Sequence, residues 1–170
     1  MTEAEACDVA HGKADAGTGE RTLVAVFASP VARFLLQYAR DLGYHTVLFE
    51  PDAARATDVP DGFELRTTPP ELDETADVVV TDHHRTELAH VLKAVLEQKA
   101  RWIGVLGNPR HPGPHVAALQ ALGMPDNEIA RVHRPVGLNI GSRTPAEIAV
   151  ATLAGLLADR NGRPGGFEFG

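Results

Sequence analysis

TLVAVFASPVARFLLQYARDLGYHTVLFE, residues 22–50, changes hydrophobic period twice. Thr22 to Ala28 is a short apolar run, the mark of a strand buried on both faces. Ser29-Pro30 stops it and opens a helix. Val31, Phe34, Leu35, Tyr38 and Leu42 then share one stripe, while Arg33, Gln37, Arg40 and Asp41 take the other. Gly43 stands just past the helix, where a left-handed residue commonly ends the last turn. Tyr44 to Glu50 is a second strand, closed by Pro51-Asp52. Strand, helix and strand in this order make the unit of a parallel sheet.

The alternation continues along the chain. Pro60 and Asp61-Gly62 mark a turn, and Phe63 to Arg66 is a short edge strand. Ala76 to Thr81 (ADVVVT) is the run richest in β-branched residues and reads as a central strand. Leu88, Val91, Leu92, Val95 and Leu96 form a helical stripe. Trp102 to Leu106 is the next strand. Val116, Leu119 and Leu122 mark a helix closed by Gly123, and Pro125 to Val132 a further short helix. The last helix, 144–159, has an explicit start: Thr144 as cap, Pro145 at the first position, and Glu147 completing a capping box. That helix is apolar nearly all round, so it is either well buried or shared with a second subunit in a homodimer. The elements predict a doubly wound, Rossmann-like α/β domain of three layers, with about five mostly parallel strands in the order 3-2-1-4-5.

With 170 residues the chain is long enough for one such core without staples. Residues 1–21 read as a flexible N-terminal arm, 22–160 as the folded domain and 161–170 as a C-terminal tail with Phe167 and Phe169. The arm is acidic and lacks the apolar core of a signal peptide, and no segment approaches the length of a membrane span, so a cytoplasmic protein without a membrane partner is expected. A net charge of −7 argues against a nucleic-acid surface. The single cysteine, Cys7, excludes an internal disulfide.

Ligands of open parallel sheets sit beyond the carboxyl ends of the strands. Topology places Ser29, Glu50, Asp82-His83-His84, Gly107-Asn108 and the loop through Gly141 there. The first turn has no glycine, and Pro30 lacks an N–H, so the dinucleotide fingerprint is absent. Glu50, 22 residues past Ala28, stands where a ribose-binding acid would, which keeps NAD(P) as a less favoured cofactor. His83 and His84 can relay protons, or else cap the helix that follows. His111 and His115 are four apart, but Pro112, Gly113 and Pro114 between them prevent a shared helical face for zinc. Gly107 permits close backbone approach, and Arg110 offers a planar fork. Asn139, Gly141, Ser142, Arg143 and Thr144 surround the N-terminus of the last helix, whose free N–H groups suit an anion. A small anionic ligand is therefore expected. The absence of a G-x-S-x-G elbow, a P-loop and HExxH favours a binding protein over a turnover enzyme.

Three blocks carry a family resemblance: Val78 to His84 (VVVTDHH), Trp102 to Asn108 (WIGVLGN) and Ala130 to Ala149 (ARVHRPVGLNIGSRTPAEIA). Together they resemble the Rossmann domain of the XdhC/CoxI proteins, over about residues 22–160. The resemblance implies an accessory factor that binds molybdenum cofactor (molybdopterin), protects it, and passes it to the apo-enzyme of a molybdenum hydroxylase such as xanthine or carbon monoxide dehydrogenase. It also implies that Asn108, Arg110, Asn139, Ser142 and Arg143 hold the anionic part and His83 and His84 lie over the reactive part. Three departures accompany it. The family's glycine-rich first turn is Ala28-Ser29-Pro30 here, the serine-arginine pair after the fifth-strand glycine becomes Asn108-Pro109-Arg110, and the family's cysteine-bearing N-terminal domain is absent from this sequence.

Overall fold

The computed structural model describes residues 2–13, 19–57, 59 and 62–166. Pro60, Asp61, Phe167 and Phe169, and with them most of the predicted turn and the aromatic tail, lie outside it. Among the described residues six parallel strands form one sheet in the order β3-β2-β1-β4-β5-β6. These are β1 Thr22–Val26, β2 His45–Phe49, β3 Glu64–Arg66, β4 Ala76–Val80, β5 Trp102–Val105 and β6 Val132–His133. The sixth, paired to β5 through Ile103↔Val132 and Gly104↔His133, extends the predicted five. Two residues carry no periodicity, which is why this strand was not expected from the sequence.

Side chains alternate across the sheet and sort the core into two layers. Val24, Val26, Val47, Phe49, Val78, Val80, Ile103 and Val105 face α3 (Leu88–Leu96), α4 (Pro114–Ala121) and α5 (Asp126–Ile129). Leu23, Ala25, Leu48 and Val79 face α2 (Pro30–Asp41) and α6 (Pro145–Arg160). All five residues of the predicted α3 stripe are buried. At roughly 1.5–3 kcal/mol for each fully buried side chain, this stripe is a main reason the helix docks where it does.

The stripe predicted for α4 is corrected. Its buried residues are His115 and Leu119, four apart, while Leu122 is half-buried and Val116 is 40% exposed. A histidine took the place expected of an aliphatic residue because packing reads shape as well as polarity. In α6, Ala149, Ala151, Thr152, Leu153 and Leu156 are buried within the single chain, and Val150 is exposed. Most of that helix's apolar surface is thus covered by its own domain. The N-terminal arm contains a helix, α1 (Glu3–Ala10), with no buried residue, and Cys7 on it is an exposed free thiol. Among the described residues no helix is long and apolar enough to cross a membrane.

Two fully buried carboxylates lock opposite edges of the sheet. Asp77, at the start of β4, accepts from Arg101 Nε at 2.7 Å and Arg160 Nε at 2.8 Å, tying β5 and the end of α6 to the amino edge. Glu50, at the end of β2, is 0% exposed and binds Arg85 through two hydrogen bonds of 2.8 and 2.9 Å. Burial alone would raise the Glu50 carboxyl, but Arg85 and the N–H groups of Ala28 and Asp52 outweigh it and hold the group below its ordinary value near 4.5.

Replacing Glu50 by Gln removes the buried countercharge of Arg85 and leaves its guanidinium only the partly exposed Glu87 carboxylate at 3.0 Å. We expect a loss of about 3–5 kcal/mol in chemical denaturation, the cost of breaking a buried pair from one side. Because the Glu50 carboxyl titrates lower in the folded than in the unfolded chain, its contribution is complete above pH 4.5 and is lost as pH falls through the folded value. Wild type should therefore lose stability below that pH, and Glu50→Gln should show a shallower acid dependence there.

Candidate functional site

All strands run the same way, so their carboxyl ends share one edge. α6 runs opposite: Arg160 at its end donates to Thr75 O at the amino edge, which puts Thr144 and its first turn at the carboxyl edge. The segments after β1, β2, β4 and β5 and the N-terminus of α6 therefore gather where the sequence placed a site.

The first turn is closed by its own chain. Phe27 adopts φ +71, an uncommon backbone state for a bulky residue, and is held there by complete burial. The Arg85 guanidinium lies 4.4 Å over its ring. Glu50 Oε2 accepts the Ala28 N–H at 2.8 Å, and Oε1 accepts the Asp52 N–H at 3.0 Å. On the other side Thr81 Oγ1 lies 2.9 Å from Phe27 O and accepts from Ser29 Oγ at 2.8 Å, while Ser29 Oγ caps α2 by accepting the Ala32 N–H. Two expectations are corrected here. Both oxygens of Glu50 are engaged and buried, so it does not receive a ribose hydroxyl. Ser29 Oγ is committed to the cap and to Thr81 rather than to a ligand. A cleft of about 270 Å³ remains beside this turn, lined in part by Arg33, Phe34 and Arg55.

The N-terminus of α6 is also occupied. The capping box forms as read, with Thr144 Oγ1 accepting the Glu147 N–H at 3.3 Å. Glu147 Oε2 accepts the N–H groups of Arg143 at 2.6 Å and Thr144 at 3.1 Å, and these bonds pull its carboxyl below the usual range. Ser142 Oγ donates to Glu147 O at 3.3 Å. The anion expected at this terminus is therefore the chain's own carboxylate, a correction for Ser142, Thr144 and the main chain of Arg143. Asn139 and Gly141 are exposed. Gly141 has φ +71 with open space where a Cβ would stand, so its glycine serves the turn.

The segments after β4 and β5 remain open. Asp82 Oδ1 accepts the His84 N–H at 2.9 Å and shapes that turn. The His83 and His84 rings lie 4.0 Å apart, centroid to centroid, tilted 40°. Burial, then the charges of His84 and Arg134, hold His83 below the ordinary histidine value, while a bond to the Leu106 main chain opposes them. His83 is therefore a neutral imidazole at neutral pH. In the loop after β5, Asn108 Oδ1 accepts the Arg110 N–H at 2.9 Å, and the Arg110 side chain is exposed.

Arg134 is the residue the sequence reading passed over. It donates from Nη2 to Asn108 O at 3.1 Å and from Nη1 to Pro112 O at 3.4 Å, clasping the loop from both ends. A Cβ on Gly107 would lie 2.4 Å from its guanidinium. Gly107 is thus small because Arg134 packs on it, not for the approach of a ligand. The signal was present as two glycines, 107 and 113, flanking a Pro-rich loop, but nothing in their spacing pointed 27 residues downstream. Among the described residues no group of three His, Cys, Asp or Glu side chains is placed to hold a metal.

The model of the XdhC Rossmann domain matches residues 23–156. The uncharacterized protein YqeB of Escherichia coli strain K12 is 32% identical over 154 residues, covering 85% of this chain and 28% of that protein. The crystal structure of a xanthine dehydrogenase from Bacillus halodurans superposes with a TM-score of 0.68 at 25% identity, over 85% of this chain and 44% of that one. The chain thus spans less than half the length of either relative. With the matched region running from β1 nearly to the end of α6, the chain belongs to the XdhC family, as its Rossmann domain.

Proposed function

We propose that this chain is an accessory factor that carries molybdenum cofactor to the apo-enzyme of a molybdenum hydroxylase, without turning over a substrate itself. The family supports the accessory role, and the name of the Bacillus halodurans relative supports a hydroxylase as the protein served. The observation that carries the reading is the His83–His84 ring pair at the carboxyl edge, 4.0 Å centroid to centroid, beside a loop whose exposed Arg110 guanidinium has no carboxylate partner among the described residues. Two exposed cations, Arg110 and Arg143, at one edge of a protein of net charge −7 fit a cargo bearing a phosphate.

In this reading Asn108 and Arg110 hold the phosphate, Asn139 and Arg143 border it, and His83 with His84 covers the pterin. The cargo supplies the metal on which the receiving enzyme does its redox chemistry. The chain's own work is to bind, orient and shield. A neutral imidazole can accept or donate one hydrogen bond at the pterin edge without adding charge. Loops held by side-chain bonds, as at Asp82 and Asn108, present these groups with little ordering cost.

Titration calorimetry with purified molybdopterin tests the assignment. Arg110→Ala should weaken binding by about tenfold, the loss of one charged hydrogen-bonding partner. Because Glu147 already fills the helix terminus, Arg143→Ala should change affinity by no more than about twofold, mainly through screening-sensitive charge. A larger loss in Arg143→Ala than in Arg110→Ala would reverse the assignment.

A nicotinamide dinucleotide is disfavoured by the same geometry. The Ala28 N–H that would meet a pyrophosphate is spent on Glu50, and Pro30 has none. NADH or NADPH at millimolar concentration should leave the melting temperature unchanged. A saturable rise would show that the first-turn cleft accepts a nucleotide after all.

A further inference from the structure

A second cleft, of about 500 Å³, opens on the other side of the Arg134 clasp. Its wall includes Gly113, His115, Val116, Ile129, Val132 and Arg134. His115 is 4% exposed, and its Nδ1 has no hydrogen-bond partner. Arg134 Nε is likewise buried without a partner, and no acidic side chain pairs with that guanidinium among the described residues. The two groups meet at Gly113, where an added Cβ would stand 2.5 Å from the His115 ring and 3.1 Å from Arg134 Nη1. Buried polar atoms in folded proteins are nearly always satisfied, so two orphans in one wall need an explanation.

The helix beginning there adds donors. No side chain caps α4, whose N-cap is Gly113; Pro114 has no N–H and the Val116 N–H bends back to Gly113 O at 3.3 Å, which leaves the His115 N–H at the helix terminus. The contrast with α6 is chemical: there Glu147 supplies the anion, and here nothing does. A guanidinium, an imidazole and a helix terminus approach from different directions, a donor set for a tetrahedral oxyanion better than for a planar carboxylate. The one acid on the rim, Asp126, is drawn aside by the Gln120 amide at 3.1 Å. Val116, Ile129 and Val132 would meet the uncharged part of the ligand.

We propose that this cleft binds a phosphate group, with Arg134 and His115 as its ligands and the first turn of α4 completing the cradle. On binding, the anion takes over Arg134 donors that now bond Asn108 O at 3.1 Å and Pro112 O at 3.4 Å. The proposal does not rest on the cofactor reading, since inorganic phosphate alone tests it.

The test is titration of the full chain with inorganic phosphate at constant ionic strength, followed by amide and imidazole resonances. Saturable shifts centred on Gly113, His115 and Val116 are expected. Arg134→Gln should weaken the phosphate affinity by about tenfold or more, as loss of a charged partner does. Because Arg134→Gln also loosens the loop, Val116→Glu provides a second variant: it changes an exposed residue of the wall and should weaken binding by repulsion. Lys99→Gln, which removes one distant charge, should bind as wild type. Shifts centred instead on Arg143 and Thr144, no saturable shift, or equal weakening in Lys99→Gln and Arg134→Gln would each overturn the proposal.

Discussion

The buried ion pair between Glu50 and Arg85 is the constraint on which the carboxyl edge depends. A carboxylate with no exposed surface must be fully bonded, and this one has four partners: two guanidinium nitrogens and the N–H groups of Ala28 and Asp52. Those partners come from the ends of β1, β2 and β4, so one side chain sets the relative heights of three strand ends. The same guanidinium covers the Phe27 ring and helps hold a backbone conformation that a phenylalanine would otherwise avoid. Moving any one of these groups would orphan another, which makes the first turn rigid.

That rigidity has a chemical consequence. Open α/β sheets usually offer a ligand the N–H groups of the first turn and the positive end of a nearby helix. In this chain both offers are taken up internally, by Glu50 at the first turn and by Glu147 at α6. What remains for an outside molecule lies further along the edge, around His83, His84 and the loop after β5. The helix terminus of α4 faces a cleft whose one acid, Asp126, is bonded to the Gln120 amide. The distribution of acidic side chains, more than the fold, thus decides which parts of a standard edge stay available.

Asp77 plays the matching part at the opposite edge. It joins Arg101 and Arg160 and so pins the last helix to the start of the central strand, with Arg101 also reaching Asp159 at 2.5 Å. The helix is also held along its middle by close backbone packing. A Cβ on Gly137 would lie 3.0 Å from the main chain at Ala151 and Thr152, and Gly155 faces Gly137 at similar range. With its last turn and its middle fixed, α6 keeps the Asn139–Thr144 loop at the carboxyl edge.

Much of this molecule followed from the amino-acid order alone. Alternation of apolar runs with 3.6-residue stripes, set off by Ser29-Pro30, Gly43 and the Thr144–Glu147 box, gave the parallel three-layer sheet, because period and capping are local properties that neighbouring residues carry. The motifs also placed Asp82-His83-His84 and Asn108 at the strand ends correctly, since topology fixes which ends meet. Tertiary structure alone decided what the charged groups do there. Glu50 became a structural carboxylate through Arg85, 35 residues away, Gly107 proved to be a seat for Arg134, and His115 took a core position in place of Val116. A carboxylate or guanidinium acts at a distance set by folding, not by sequence separation, so its partner cannot be read from its neighbours.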